Sequence, residues 1–250
     1  MRQEFAGSVP KEPRSPEANE DVLALSDSAN RFALSDGASD SFNSKLWAKL
    51  LANRFIADPG VSPQWVDGAL ADYEAAHDVA SMSWSKQAAF ERGSFATLLS
   101  GEYVPDHHAV ELLAIGDSVA LLVDNDRLVC AWPFDDPDRF HERPSLLSTV
   151  RRHNGFLEAG DFWTQHGTTL HLDKLAAPRL LCMTDALGEW ALRSVRDNGD
   201  GLRELASLRS EEQLTELVLR ERAQKRMRID DSTLLVLSFE RETCDGLSVS

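Results

Sequence analysis

The sequence predicts an α+β domain, with largely antiparallel strands packed as sheets and helices outside them. Three observations carry this expectation. Strand-type and helical patterns are segregated, in the order strands, helices, many strands, helices, strand. Short turns, Gly116-Asp117 and Asn125-Asp126, separate consecutive strand-type runs, as in an antiparallel meander. The chain has 250 residues and is 42% hydrophobic, which suits one soluble domain with an ordinary core.

The elements follow in order. The first eighteen or so residues are rich in Pro, Glu, Arg and Ser and read as an extended polar arm, 1–18. Two apolar runs follow, DVLALSD and RFALSD, each ending in an aspartate and separated by Ser28-Ala29-Asn30. From about Asn43 to Ile56 the periodicity is helical, with Leu46, Trp47, Leu50, Leu51 and Phe55 on one face. Asp58-Pro59-Gly60 stops this helix. A second helix is expected from about Pro63 to Met82 and a third, short one over Lys86 to Arg92.

After Gly93 come SFATLLSGEYV, AVELLAIG, VALLVDN and RLVCAWP, all strand-like. The polar PFDDPDRFHERPS interrupts them before TTLHLD and RLLCMTD. Helical patterns return from about Gly188 to Val195 and from Glu211 to Arg226, the latter closed by basic residues that suit a helix C-terminus. STLLVLSF is the final strand, so the folded domain is expected over 19–240 with a tail at 241–250.

Composition excludes several functions. A formal net charge of −15 argues against nucleic acid or an anionic membrane as the main partner. No apolar run approaches the roughly 18 residues of a membrane helix, and MRQEFAGSVPKEPRSPEANED lacks the apolar core of a signal peptide, so the expected location is cytoplasmic. Cys130, Cys182 and Cys244 are too few and too scattered for a disulfide framework or zinc site. The histidines show no metal-binding spacing, and the tryptophans read as core or edge aromatics.

The acidity becomes informative by position. Asp21, Asp36, Asp117, Asp185 and Asp230 all fall at the ends of strand-type runs. Any one could simply cap a turn. Brought to one rim of the sheets, the five would form an all-oxygen site suited to Mg²⁺ or Mn²⁺.

Around these aspartates the chain resembles the type 2C, metal-dependent protein serine/threonine phosphatases. Asn19-Glu20-Asp21 resembles their N-E-D opening, and Phe32-Ala33-Leu34-Ser35-Asp36-Gly37 their apolar strand ending in D-G. Gly93-Ser94-Phe95-Ala96 resembles G-(S/T)-T-A, and Ala114-Ile115-Gly116-Asp117-Ser118 resembles V-G-D-S. Thr184-Asp185-Ala186-Leu187 resembles S-D-G-L, and Asp230-Asp231-Ser232-Thr233 resembles D-(N/D)-x-T. Each motif is weak alone; six in the correct order span nearly the whole chain.

The resemblance implies a pair of antiparallel sheets sandwiched between helical layers, with metals at one end. It implies that Asp36 bridges two divalent cations, one also bound by the Gly37 carbonyl, while Asp185 and Asp230 complete the other. Glu20 and Asp21 would act near the second cation, Asp117 with Asp185 at a weaker third, and Asp231 behind the ligands. The implied reaction is hydrolysis of phosphoserine or phosphothreonine on a protein by a metal-activated water. The implied partners are a phosphoprotein and a separately encoded kinase or its target.

Departures from the pattern bear on substrate handling. Pro16 sits near the usual position of a phosphate-holding arginine, leaving Arg14 as the nearest candidate, against a solvated arm residue. Ala38 follows the D-G pair where relatives carry His or Met, Phe95 replaces a threonine, and Ala186 replaces a glycine. Between Asp185 and Asp230 the sequence fits either a substrate-shaping flap or plain surface helix and loop. A phosphatase-like module that binds a phosphoprotein or kinase without turnover, and a phosphatase of small esters, remain the alternatives.

Overall fold

The computed structural model describes residues 1–26 and 30–240. Its first third contains β1 (Arg2–Val9), β2 (Asp21–Ser26), β3 (Arg31–Asp36), α1 (Ser44–Ala57), α2 (Pro63–Ala75) and α3 (Trp84–Arg92). Strands β4 (Phe95–Ala96), β5 (Leu98–Val104), β6 (Ala109–Ile115), β7 (Val119–Asp124), β8 (Arg127–Trp132) and β9 (Leu147–Ser148) follow. The remainder is α4 (Phe162–His166), β10 (Gly167–His171), β11 (Pro178–Met183), α5 (Asp185–Arg196), α6 (Gly201–Ser207), α7 (Glu211–Ala223) and β12 (Ser232–Ser238).

The strands form two five-stranded antiparallel sheets, ordered β1-β12-β11-β7-β8 and β10-β6-β5-β3-β2, plus the small β4-β9 pair. Alternate residues of one strand enter different layers. Leu235 and Leu237 of β12 meet Phe32, Leu34, Leu99 and Leu112 of the other sheet in the sandwich interior. Leu234 and Val236 face outward onto Leu187, Leu205, Leu214 and Leu217 of α5–α7. On the opposite side, Ala33, Leu98 and Leu113 pack against Trp47, Leu51 and Phe55 of α1 and Trp65 and Tyr73 of α2. The central strands are thus buried on both faces, which is why they read as continuous apolar runs rather than as alternation. The α+β fold of two sheets flanked by helical layers is as expected.

Three expectations need correction. The polar arm is not free: Arg2–Val9 is edge strand β1, paired along its length with β12. An edge strand with one wet face tolerates polar residues, and Phe5 and Val9 supply the buried face. The meander is interrupted, because β6 and β7 belong to different sheets. Gly116, at φ 111°, turns the chain across the sandwich; a Cβ there would meet Thr97 at 2.6 Å. The Asn125-Asp126 turn does close a hairpin between β7 and β8, with both residues left-handed. The second helix ends at Ala75 instead of running to Met82, with the His77 ring on the Tyr73 carbonyl at 2.7 Å. Of the two readings left open for the Asp185–Asp230 segment, the structure favours helix over flap: α5, α6 and α7 form the helical layer over one sheet. Ser28 and Ala29 of the expected turn, Cys244 and the tail 241–250 lie outside the described residues. No helix among the described residues is long and apolar enough to cross a membrane.

Candidate metal and phosphate site

Strand register gathers the aspartates. Asp21 opens β2 directly opposite Asp36, which closes β3. Met183 at the end of β11 lies between Leu234 of β12 and Val119 of β7. The residues just beyond those three positions are Asp185, at the start of α5, Asp230, before β12, and Asp117, before β7. Five separate segments therefore deliver a carboxylate to the same end of the sandwich.

Hydroxyl groups fix the frame. Asp21 Oδ2 accepts hydrogen bonds from Thr184 Oγ1 at 3.0 Å and Thr233 Oγ1 at 2.6 Å, while Oδ1 is buried with no hydrogen-bond partner. Thr184 Oγ1 also accepts from Thr233 N at 3.0 Å, tying β11 to β12. The Asp36 amide donates to Thr97 Oγ1 at 2.9 Å, and Thr97 bonds Ser118 Oγ at 3.1 Å, next to Asp117. Gly37 lies where a Cβ would fall 2.8 Å from the Ser44 backbone, so only glycine lets α1 approach Asp36 this closely.

The carboxylates repel one another. Burial, then Asp231 and Asp185, push Asp21 up to about 7 against the two threonine hydroxyls. Burial raises Asp185 to about 7 as well, with Arg228 opposing and Asp117 and Asp230 adding to the rise. Asp36 stands well above its ordinary value through burial and then Asp21, Asp185, Asp117 and Asp230. Asp117 is raised mainly by burial. A cluster of buried oxygens in mutual repulsion is stabilised by hard divalent cations. The donor set and the unpartnered Asp21 Oδ1 fit such ions.

Two cations that the sequence pattern did not single out reach this end of the sandwich. Arg228 pairs with Asp185 Oδ2 at 2.5 Å and with Glu189 at 3.6 Å. Lys11 Nζ donates to Ser39 Oγ at 2.6 Å and to Glu20 Oε2 at 3.3 Å. Arg14, the expected phosphate contact, is exposed and has no hydrogen bond or ion pair among the described residues. The oxygens of Glu20 are taken by Ser44, Ser39 and Lys11. Asp231 accepts the backbone amides of Lys11 at 2.7 Å and Glu20 at 2.8 Å, so it positions both residues. Among the described residues no three acidic, histidine or cysteine groups form a ready-made metal cage. Asp185 is turned into its ion pair with Arg228, and Glu20 into its own hydroxyl contacts.

No family model matches the chain, and no curated protein matches it. Solved structures do. A serine/threonine phosphatase of Mycobacterium tuberculosis, PstP, is similar at 20% identity and TM-score 0.55, covering 94% of this chain and 97% of that one. The photosystem II phosphatase PBCP is similar at 15% identity and TM-score 0.51, covering 95% and 99%. This chain has the type 2C phosphatase fold. A further type 2C structure, the PstP catalytic domain in complex with two manganese ions, is 18% identical with TM-score 0.51, covering 96% of each chain. At these identities the likeness is one of fold. Within the type 2C frame, Asp21, Asp36, Asp117, Asp185 and Asp230 lie together, while the Glu20 carboxylate is held by Ser44, Ser39 and Lys11 and Arg14 is exposed.

Proposed function

We propose that this chain is a Mn²⁺- or Mg²⁺-dependent phosphatase that hydrolyses phosphoserine and phosphothreonine on proteins. One observation carries the reading: five aspartates from five segments converge at one end of a type 2C fold, and a buried Asp21 oxygen is left unpartnered. Asp36 with the Gly37 carbonyl, and Asp185 with Asp230, would hold two divalent cations. Asp21 and Glu20 would support one of them, and Asp117 a third with Asp185. When bound, the cations supply Lewis acidity and a water nucleophile acidified to near neutral pH.

The chain's own residues do the rest. Lys11 brings a positive charge to Ser39 and Glu20, where it would steady phosphoryl oxygens, and Asp231 fixes its backbone. Ala38 offers no proton to the leaving group. The physiological partner would be a phosphoprotein made by a separately encoded kinase in the cytoplasm.

The test is phosphate release from a pool of phosphoserine and phosphothreonine peptides, with Mn²⁺ and then with chelator, for wild type and Asp230→Asn. Mn²⁺-dependent release that disappears in Asp230→Asn is expected; a folded, Mn²⁺-loaded wild type that releases none sinks the reading. The second reading, binding of a phosphoprotein without turnover, is favoured by the Arg228–Asp185 ion pair, which already neutralises one ligand. Calorimetry showing phosphopeptide binding with no divalent-cation binding would select it.

A further inference from the structure

Beside the carboxylates lies a cleft of about 880 Å³. One wall is the Ala38–Asn43 loop that leaves Asp36-Gly37, and the others carry Arg92, Arg143 and Arg152. The Arg143–Ser145 segment also lines the adjoining hollow that contains Asp117, so the cleft neighbours the candidate site across a shared wall.

These three arginines are unlike most others in the molecule. Arg31 is neutralised by Glu102, Arg54 by Asp72, Arg151 by Asp67, Arg179 by Glu4, and Arg220 and Arg226 by Glu221. Arg92, Arg143 and Arg152 are exposed and have neither an ion pair nor a hydrogen bond among the described residues. They line the cleft from three segments: the last turn of α3, the loop before β9, and the turn after it. Asp40 is the one carboxylate among the lining residues and pairs with none of them. In a chain of net charge −15, three unpaired guanidinium groups around one cleft form a local anion receptor.

We propose that this cleft selects substrates by a second anionic group, a carboxylate or a further phosphate, on a residue flanking the phosphorylated one. The inference rests on the phosphatase reading for its substrate but concerns a different set of residues. A peptide with its phosphorylated side chain at the aspartates lies along the Ala38–Asn43 loop, and its flanking side chain meets the arginine fork. The acidic remainder of the surface disfavours long polyanions such as RNA, while a single anionic side chain is small enough to use the cleft alone.

The experiment compares three fluorescein-labelled peptides with one phosphothreonine and a flank that is neutral, Glu-containing or phosphoserine-containing. Affinity is read by fluorescence anisotropy in chelator, and kcat/KM with Mn²⁺, for wild type and R92Q/R143Q/R152Q. The expected result is at least about tenfold tighter binding of an anionic-flank peptide by wild type, weakening with salt, and a ratio near one in the triple variant. The Glu and phosphoserine arms show which anion is read. Should the triple variant fail to fold by circular dichroism, Arg92→Gln alone must reduce the ratio at least about threefold. Equal affinity of wild type for all three flanks, or an unchanged ratio in the folded variant, overturns the proposal. Absence of phosphate release with the binding preference intact overturns the phosphatase reading and leaves the anion-selective cleft standing.

Discussion

The two oxygens of Asp21 are treated differently by the fold. Oδ2 is held by Thr184 and Thr233, and buried Oδ1 has no donor. A buried acceptor left unpaired costs about 1–3 kcal/mol unless something electropositive meets it, which makes Oδ1 the atom most in need of a cation. Lys11 is the other informative residue. Its ammonium sits at Ser39 and Glu20 while Arg14 faces solvent. Lys11→Ala is therefore expected to lower kcat/KM for a phosphopeptide about 10- to 100-fold, and Arg14→Ala less than about twofold. Steady-state kinetics on the two variants checks this, and the reverse order would return the phosphate contact to Arg14. The aspartates were legible in the sequence because each punctuates an apolar run. Lys11 and Arg228 were not, since Lys11 is a lone cation in a polar stretch and Arg228 one of several cations in the basic run RERAQKRMR. Thr97, Thr184 and Thr233 sat within or beside the recognised motifs but gave no sign of their partners.

At the scale of elements, the α5–α7 layer is joined by a buried carboxylate. Glu221 of α7 accepts from Trp190 Nε1 of α5 at 3.0 Å and pairs with Arg226 at 2.7 Å and Arg220 at 2.8 Å. The Arg226 hydrogen bond is the main reason that Glu221 is held down at about 2. Glu221→Gln should destabilise the chain by about 2 kcal/mol near neutral pH, read by urea unfolding. Because the folded pKa is depressed, this contribution is present above the ordinary value of 4.5 and is lost as pH falls toward 2. The wild-type advantage over Glu221→Gln must then shrink on acidification; an advantage independent of pH contradicts the assignment. Long elements such as α1 and β12 were legible because periodicity or a continuous apolar run marks them. Strand β1 was hidden by its polar edge and by Gly7, whose place against the Phe5 ring leaves no room for a side chain. Helix α6 was hidden behind the turn-like Asp197–Gly201 stretch, and the β6–β7 crossover looked like a hairpin because Gly116-Asp117 suits either.

Over the whole molecule, five aspartates meet where the two sheets end together. Asp21 and Asp185 carry pKa values of about 7, above their ordinary 3.8. Between those limits the metal-free folded chain retains protons that the unfolded chain has released, so its stability declines as pH rises through the interval. The melting temperature without metal should therefore fall from about pH 5 to about pH 8. Mn²⁺ should offset the fall, adding about 2.7 kcal/mol at one hundred times its dissociation constant. Thermal unfolding in chelator and in Mn²⁺ checks both trends; a metal-free curve that rises with pH denies the raised pKa values of the buried aspartates. The most direct test of the central claim, that the five-aspartate cluster is a divalent-cation site, is a calorimetric Mn²⁺ titration of the metal-free wild type and of Asp36→Asn. Two Mn²⁺ ions per wild-type chain, with binding to the folded variant weakened at least about tenfold, is the predicted result. A folded wild type that takes up no Mn²⁺, or an Asp36→Asn variant that binds it equally well, would contradict the account.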